Sequence, residues 1–232
     1  MSLPRQIVAL GGGVLVPDTG NTKLERYILD ASGKLAPRVC FVPTASGDEA
    51  AYIVRFYAAY ARYGVGLDVL RFFARTPVDL RTLVLGHDVV HVGGGNTRSM
   101  LAVWRHWGFD TVLREAWERG VVLCGSSAGS ICWFEEGVTD SVAGDLTTMK
   151  GLGFLDGSNC PHYDGEALRR PAYERLVADG SLGAGFACDD GAGVHVVGAM
   201  HAAISARPNA RAYRVERTAG GARETILEAK QL

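Results

Sequence analysis

Apolar runs alternate with segments of helical period from residue 6 to residue 124, and this alternation restricts the fold more than any other feature of the chain. "QIVALGG" (6–12) and "RVCFVPTAS" (38–46) read as buried strands running into loops, "LDVLRFF" (67–73) as a third strand and "DVVHVGGGN" (88–96) as a fourth. "VVLC" (121–124) is the next. Between them, residues 48–64 place Ile53, Phe56, Tyr57 and Tyr60 at helical spacing, with Gly64 as the stop. Met100, Trp104 and Trp107 share a second helical face, and Leu113, Ala116 and Trp117 a third. Strands that alternate with helices and carry glycine-rich loops at their carboxyl ends predict a doubly wound, mostly parallel sheet. After about residue 185 the pattern changes to short strands joined by turns, one of them at Gly220-Gly221. These are expected to form an antiparallel edge on the same domain, which is taken as residues 1–232 because no linker or repeat interrupts it.

Composition narrows the class of function. The net charge is −1 and the Lys and Arg residues are scattered, which argues against a nucleic-acid partner or a polybasic membrane surface. No apolar run approaches the roughly 18 residues of a spanning helix, and "MSLPRQIVALGGG" reads as a lead into the first strand rather than a signal peptide. The five cysteines are odd in number and lack any C-x-x-C pair, so neither a disulfide framework nor a metal site is expected. Reduced, buried thiols in a cytoplasmic protein are the expectation.

Two glycine loops invite a cofactor reading. In "GGGVLVP" and "GGGNTRS" the third glycine of G-x-G-x-x-G is replaced by Val16 and Arg98, so no dinucleotide and no other cofactor is expected. Gly93-Gly94-Gly95 can be a plain βα turn, or a place where backbone N–H groups approach a ligand beside a helix N-terminus.

Gly125-Ser126-Ser127-Ala128-Gly129 fits G-x-S-x-G with Ser127 at its centre. In a nucleophile elbow this residue occupies a strained strand-to-helix turn, its flanking glycines avoid a clash, and the following N–H faces an oxyanion. A strand at 121–124 and a helix over Ala128–Phe134 supply that context. Cys124, at the strand's end, and Cys132, a turn into the helix, read as core. A serine nucleophile needs a base oriented by a third group. Of six histidines, His87, His91, His106, His195 and His201 lie on or beside regular elements and read as structural or exposed. His162 opens a polar loop in "NCPHYDGE", where bases tend to sit. For the orienting acid, Asp140, Asp145, Asp164, Asp189 and Asp190 are open; the chain order familiar from α/β-hydrolases favours Asp140, but spacing alone does not choose among residues that meet only in the fold.

Together "GGGNTRSMLAVWRHWGFDTVLREAWERGVVLCGSSAGSICWF", "GVTDS", "NCPHYD" and "DDGAG" resemble the peptidase E family of serine peptidases, the aspartyl dipeptidases, whose relatives include the cyanophycinases. The resemblance covers residues 88–195 and, more loosely, "FVPTASGD". It implies a flavodoxin-like fold of the class I glutamine amidotransferase type, a mostly parallel sheet with helices on both faces. It implies Ser127 as nucleophile, His162 as base and Asp190 as acid, in a place where the family has Glu before Gly; Asp189 is its rival. It further implies oxyanion donors at the Gly95 and Ala128 amides, Asn96 in contact with substrate and Asp140 lining the site. The partner implied is a short peptide with an N-terminal aspartate. An arginine can hold that carboxylate bidentately, and Arg169 and Arg170 in "ALRRPAYERL" are the candidates. Cleavage at β-aspartyl bonds, and a non-hydrolytic binding role on the same scaffold, are the competing expectations.

Overall fold

In the computed structural model, which describes residues 4–16 and 21–232, the alternating segments become strands and helices close to where the pattern puts them. Met1, Ser2 and Leu3, in the stretch that leads into the first strand, and Pro17 at the end of the first glycine loop lie outside the described residues. The first half contains β1 (Gln6–Leu10), α1 (Lys23–Ala31), β2 (Arg38–Val42), α2 (Ala50–Tyr60), β3 (Gly66–Val69), α3 (Leu80–Leu85), β4 (Val89–Val92), α4 (Thr97–Trp107) and α5 (Phe109–Glu118). Next come β5 (Val122–Ser126), α6 (Ala128–Ile131), β6 (Phe134–Thr139), β7 (Thr147–Lys150), β8 (Leu155–Cys160) and α7 (Arg169–Ala178). The chain closes with β9 (Gly185–Cys188), β10 (Ala192–Val197), β11 (Met200–Ser205), β12 (Ala212–Thr218), β13 (Gly221–Leu227) and β14 (Ala229–Gln231).

These strands make two sheets. The larger has the order β14-β11-β10-β1-β5-β4-β2-β3, and its five strands from β1 to β3 run parallel. Side chains on β1 show why helices must cover both faces. Ile7 and Ala9 join a core with Met100, Trp104 and Leu113 from α4 and α5, whereas Val8 and Leu10 join Leu24, Ile28, Phe56 and Tyr60 from α1 and α2. A strand apolar at every position is buried on both sides, as parallel sheets are. The chain is therefore a mixed α/β fold.

Three local expectations change. β10 and β11 do form the antiparallel edge, beside β1, but β12 and β13 leave it and extend a second sheet of order β13-β12-β9-β8-β6-β7. Segments such as "FEEGVT" and "LDGSNC" carry little hydrophobic alternation, so this sheet has a weak signature in sequence; β12 joins it because the edge of β9 is free to pair. The helix after the elbow ends at Ile131 instead of Phe134, because Trp133 and Phe134 are fully buried and carry the chain into β6. Trp107, expected on the buried face of α4, is 45% exposed, while Met100 and Trp104 are in the core.

Candidate active site

The carboxyl ends of β1, β4 and β5 lie side by side, with Leu10 paired to Ser126 and Val92 to Gly125. Just past β5, Ser127 has φ 57° and ψ −120°, a conformation that costs a non-glycine residue about 1–3 kcal/mol. The flanking glycines explain how the turn closes. A Cβ on Gly125 would stand 2.5 Å from the carbonyl oxygens of Gly129 and Val92, and one on Gly129 would stand 2.3 Å from Val92 O. α6 begins immediately afterwards, so the Ala128 amide is one of the N-terminal donors that a helix leaves without an internal partner.

The glycine loop after β4 abuts this elbow. A Cβ on Gly94 would come within 3.2 Å of Ser127 Cβ. Gly94 N–H donates to the Tyr52 hydroxyl at 3.0 Å, whereas among the described residues the Gly95 amide has no protein acceptor. Gly95, at φ 133°, packs so closely that a Cβ would lie 2.3 Å from Ala45 O. Of the two adjacent amides, Gly95 is thus the one without an acceptor in the protein among the described residues.

The second sheet supplies the candidate acid–base pair. β8 and β9 are parallel neighbours with Cys160 paired to Ala187, and His162 and Asp190 each stand two residues beyond the end of their strand. His162 Nδ1 lies 2.7 Å from Asp190 Oδ1. This bond to His162 is the main reason the Asp190 carboxyl is held below the ordinary carboxylate range, against the opposing effect of burial. His162 has φ 53°, and its N–H donates to Gly11 O at 3.3 Å, which sets the ring at the end of β1, the strand beside the elbow. With Nδ1 engaged by Asp190, Nε2 is the ring nitrogen open toward a substrate.

The rival acids stand elsewhere. Asp189 is buried, with Oδ2 accepting from Arg211 N–H at 2.9 Å and the Tyr213 hydroxyl at 3.3 Å, and desolvation raises its pKa. Asp140 is ion-paired with Arg169 at 3.3 Å. Asp164 Oδ1 accepts the Asp190 N–H at 2.8 Å and so holds the acid's backbone. All five cysteines are buried free thiols, and burial pushes the Cys124 and Cys132 thiols well up, away from any thiolate role. His87, His91 and His195 bond Asp68, Tyr60 and Tyr27 respectively.

Three binding expectations meet a different geometry. Asn96 caps α4, accepting from Ser99 N–H at 2.9 Å, and its amide donates to Ser141 O at 3.0 Å. Arg169 is 1% exposed and grips Glu166 at 2.6 Å and Val138 O at 3.2 Å in addition to Asp140. Arg170 makes a two-pronged pair with Glu224 at 3.0 and 2.8 Å and lies over the Tyr163 and Tyr213 rings. Both guanidinium groups are engaged by carboxylates of the chain itself.

Sequence reasoning missed the residues that hold these groups in place. Gly12 underlies the acid–base pair: its Cβ would stand 2.0 Å from Asp190 Oδ1 and 2.7 Å from His162 Cε1. "GGG" at 11–13 carried that signal, but only as a failed dinucleotide motif. Tyr52, from α2, contacts the Ser126 side chain as well as Gly94 N–H, so one hydroxyl ties the glycine loop to the elbow. Arg207 donates to Asp190 O at 3.0 Å from the far side. No local pattern marks Tyr52 or Arg207, because each acts on a loop distant in sequence.

Comparison with known proteins agrees with this architecture. Residues 7–204 match the family model described as peptidase family S51. An uncharacterised peptidase of Bacillus subtilis, YgaJ, is 51% identical over 212 residues, covering 91% of this chain and 92% of the relative. A peptidase from an acI-B1 actinobacterium superimposes with a TM-score of 0.75 at 15% identity, covering 99% of this chain and 96% of the other. A putative peptidase E protein from Listeria monocytogenes EGD-e gives 0.65 at 17% identity, covering 89% and 100%. At such identities the two solved structures speak to the fold.

Proposed function

The chain belongs to peptidase family S51, and from that premise we propose that it hydrolyses short peptides with an N-terminal aspartate through an acyl-enzyme on Ser127. The observation that carries this reading is the 2.7 Å contact of His162 with Asp190 at the end of β1, next to the strained Ser127 turn. Ser127 Oγ attacks the scissile carbonyl while His162 Nε2 takes its proton, and Asp190 fixes the ring and stabilises the imidazolium. The oxyanion forms against the Gly95 and Ala128 amides. As the carbon–nitrogen bond breaks, His162 returns the proton to the leaving amine. Water, deprotonated by the same nitrogen, then attacks the ester and frees Ser127.

Aspartate at the N-terminal position follows from the resemblance to aspartyl dipeptidases. A panel of Asp-X, Glu-X, neutral dipeptides and β-Asp-Arg, assayed with the wild type and with Ser127→Ala, tests both halves. Asp-X should be cleaved fastest, and Ser127→Ala should abolish turnover and labelling by a serine-reactive fluorophosphonate. Preference for β-Asp-Arg would move the substrate assignment, and turnover by Ser127→Ala would end the serine mechanism.

A further inference from the structure

A peptide that begins with aspartate brings negative charge to the site, and the two arginines adjacent in sequence to the histidine loop already hold carboxylates of the protein itself. A different cationic cavity lies beside the glycine loop. It is a pocket of about 240 Å³ between α4 and the β6–β7 hairpin, lined by Arg98, Arg105 and Lys150 together with the hydroxyl-bearing Thr139, Ser141 and Thr148. Among the described residues no Asp or Glu lines it. Lys150 is paired with Glu136 at 2.8 Å, and Arg105 donates to Gly151 O at 3.2 Å. Arg98 is different: among the described residues its guanidinium has neither an ion pair nor a hydrogen-bond acceptor, and the residue is exposed.

The pocket is coupled to the reacting centre through two residues. Asn96 follows Gly95 directly, and its side-chain amide donates to Ser141 O at 3.0 Å, so one hydrogen bond joins the residue after the expected oxyanion amide to the pocket wall. Arg98 N–H donates to Ser141 Oγ at 3.2 Å, which seats the arginine's backbone against that wall. Arg98 also lies in the first turn of α4, an 11-residue helix whose N-terminal dipole favours a nearby anion. Asp140, which lies between the lining residues Thr139 and Ser141 in sequence, is drawn toward Arg169. The volume is below the about 300–1,000 Å³ usual for whole small molecules and suits one acidic group of a short peptide.

We propose that this pocket is the subsite for a substrate carboxylate and that Arg98 is its receptor. The proposal rests on the peptidase reading above and names the residue that gives it specificity. An unpaired guanidinium presents a planar fork that matches a carboxylate, and the hydroxyls around it complete the acceptor's hydrogen bonds.

Binding measured without turnover separates this proposal from the mechanism. Calorimetric titration of Ser127→Ala, and of Ser127→Ala carrying Arg98→Gln, with Asp-Leu, Ala-Leu and Asp-Leu-amide isolates the two carboxylates of the ligand. If the aspartate side chain is received, Arg98→Gln should weaken Asp-Leu and Asp-Leu-amide about 10- to 100-fold and leave Ala-Leu unchanged. If the terminal carboxylate is received, Asp-Leu and Ala-Leu should weaken and the amide should not. Equal affinity in both proteins for every ligand, including no binding to either, overturns the proposal, as does an equal loss on all three. Persistent hydrolysis by Ser127→Ala would break the serine mechanism while leaving these binding differences as the measure of Arg98.

Discussion

The two sides of the active-site rim are assembled in different ways. On the side of the parallel sheet, the elbow and the glycine loop are short contiguous motifs whose shape is imposed by missing Cβ atoms: Gly125, Gly129 and Gly95 each sit where a side chain would overlap a carbonyl. On the side of the second sheet, His162 and Asp190 are 28 residues apart and meet because β8 and β9 are parallel neighbours whose ends lie within one residue of each other. One side is a local conformation that glycine makes possible. The other is a product of strand pairing, and it is held by long-range contacts from Gly12, Asp164 and Arg207. Errors on the first side should therefore strike the chemistry directly, and errors on the second should act through the orientation of one imidazole.

Ser127→Ala gives the largest expected effect, a loss of turnover on the order of 10⁴-fold or more in dipeptide hydrolysis. A mutant within tenfold of the wild type would remove the elbow side from the mechanism. Asp190→Asn should cost about 10³-fold, because the ring loses the partner that fixes its tautomer. Asp189→Asn, in the same assay, should stay within about tenfold, since its carboxylate faces Tyr213 and the Arg211 backbone. Reversal of that order would show that the hydrogen bond to His162 picks the wrong aspartate.

Gly12→Ala tests the contact between the two sides. Its Cβ would overlap Asp190 Oδ1, so turnover should fall about 100-fold by displacement of the pair, and thermal denaturation should register a destabilisation of about 1–3 kcal/mol. Tyr52→Phe removes the hydroxyl that joins the glycine loop to the elbow, and kcat should fall about tenfold with KM little changed. A rise in KM alone would place Tyr52 in binding rather than in positioning the loop.

The smallest effect is one of stability against pH. The Asp190 carboxyl is held low by His162, so the folded state binds its proton less readily than the unfolded chain does. Its contribution is present above the ordinary carboxylate value of about 3.9 and is lost as pH falls through the lower folded value. Wild type and Asp190→Asn should differ in melting temperature at neutral pH, and the difference should close as pH falls below the ordinary carboxylate range. A gap that widens on acidification would contradict the direction of the shift.

Much of this arrangement was legible in the residues themselves, though unevenly. The parallel strands announced themselves because a strand buried on both faces is largely a continuous apolar run, as Ile7 to Leu10 of "QIVAL" is. The second sheet did not, because "TTMK" and "LDGSNC" mix polar and small residues and gain their strand character from neighbours. His162 stood out as a histidine opening a polar loop. The burial of Arg169 was not legible, because a charged residue on a helix is usually solvated and its partners Asp140 and Val138 O come from a segment about 30 residues away.

The sequence by itself determined the position of Ser127, since an elbow needs only its own few residues and a strand before it. It also determined that the glycines at 93–95 follow a strand and open a helix, because both periodicities are written locally. Only the tertiary structure brought Asp190 into contact with His162, bound both arginines beside the histidine loop to carboxylates of the chain, and left Arg98 unpaired three residues beyond Gly95. The physical reason is range. Backbone strain and hydrophobic period act within a few residues, whereas the partner of a charge is set by which distant segments the fold brings within about 3 Å.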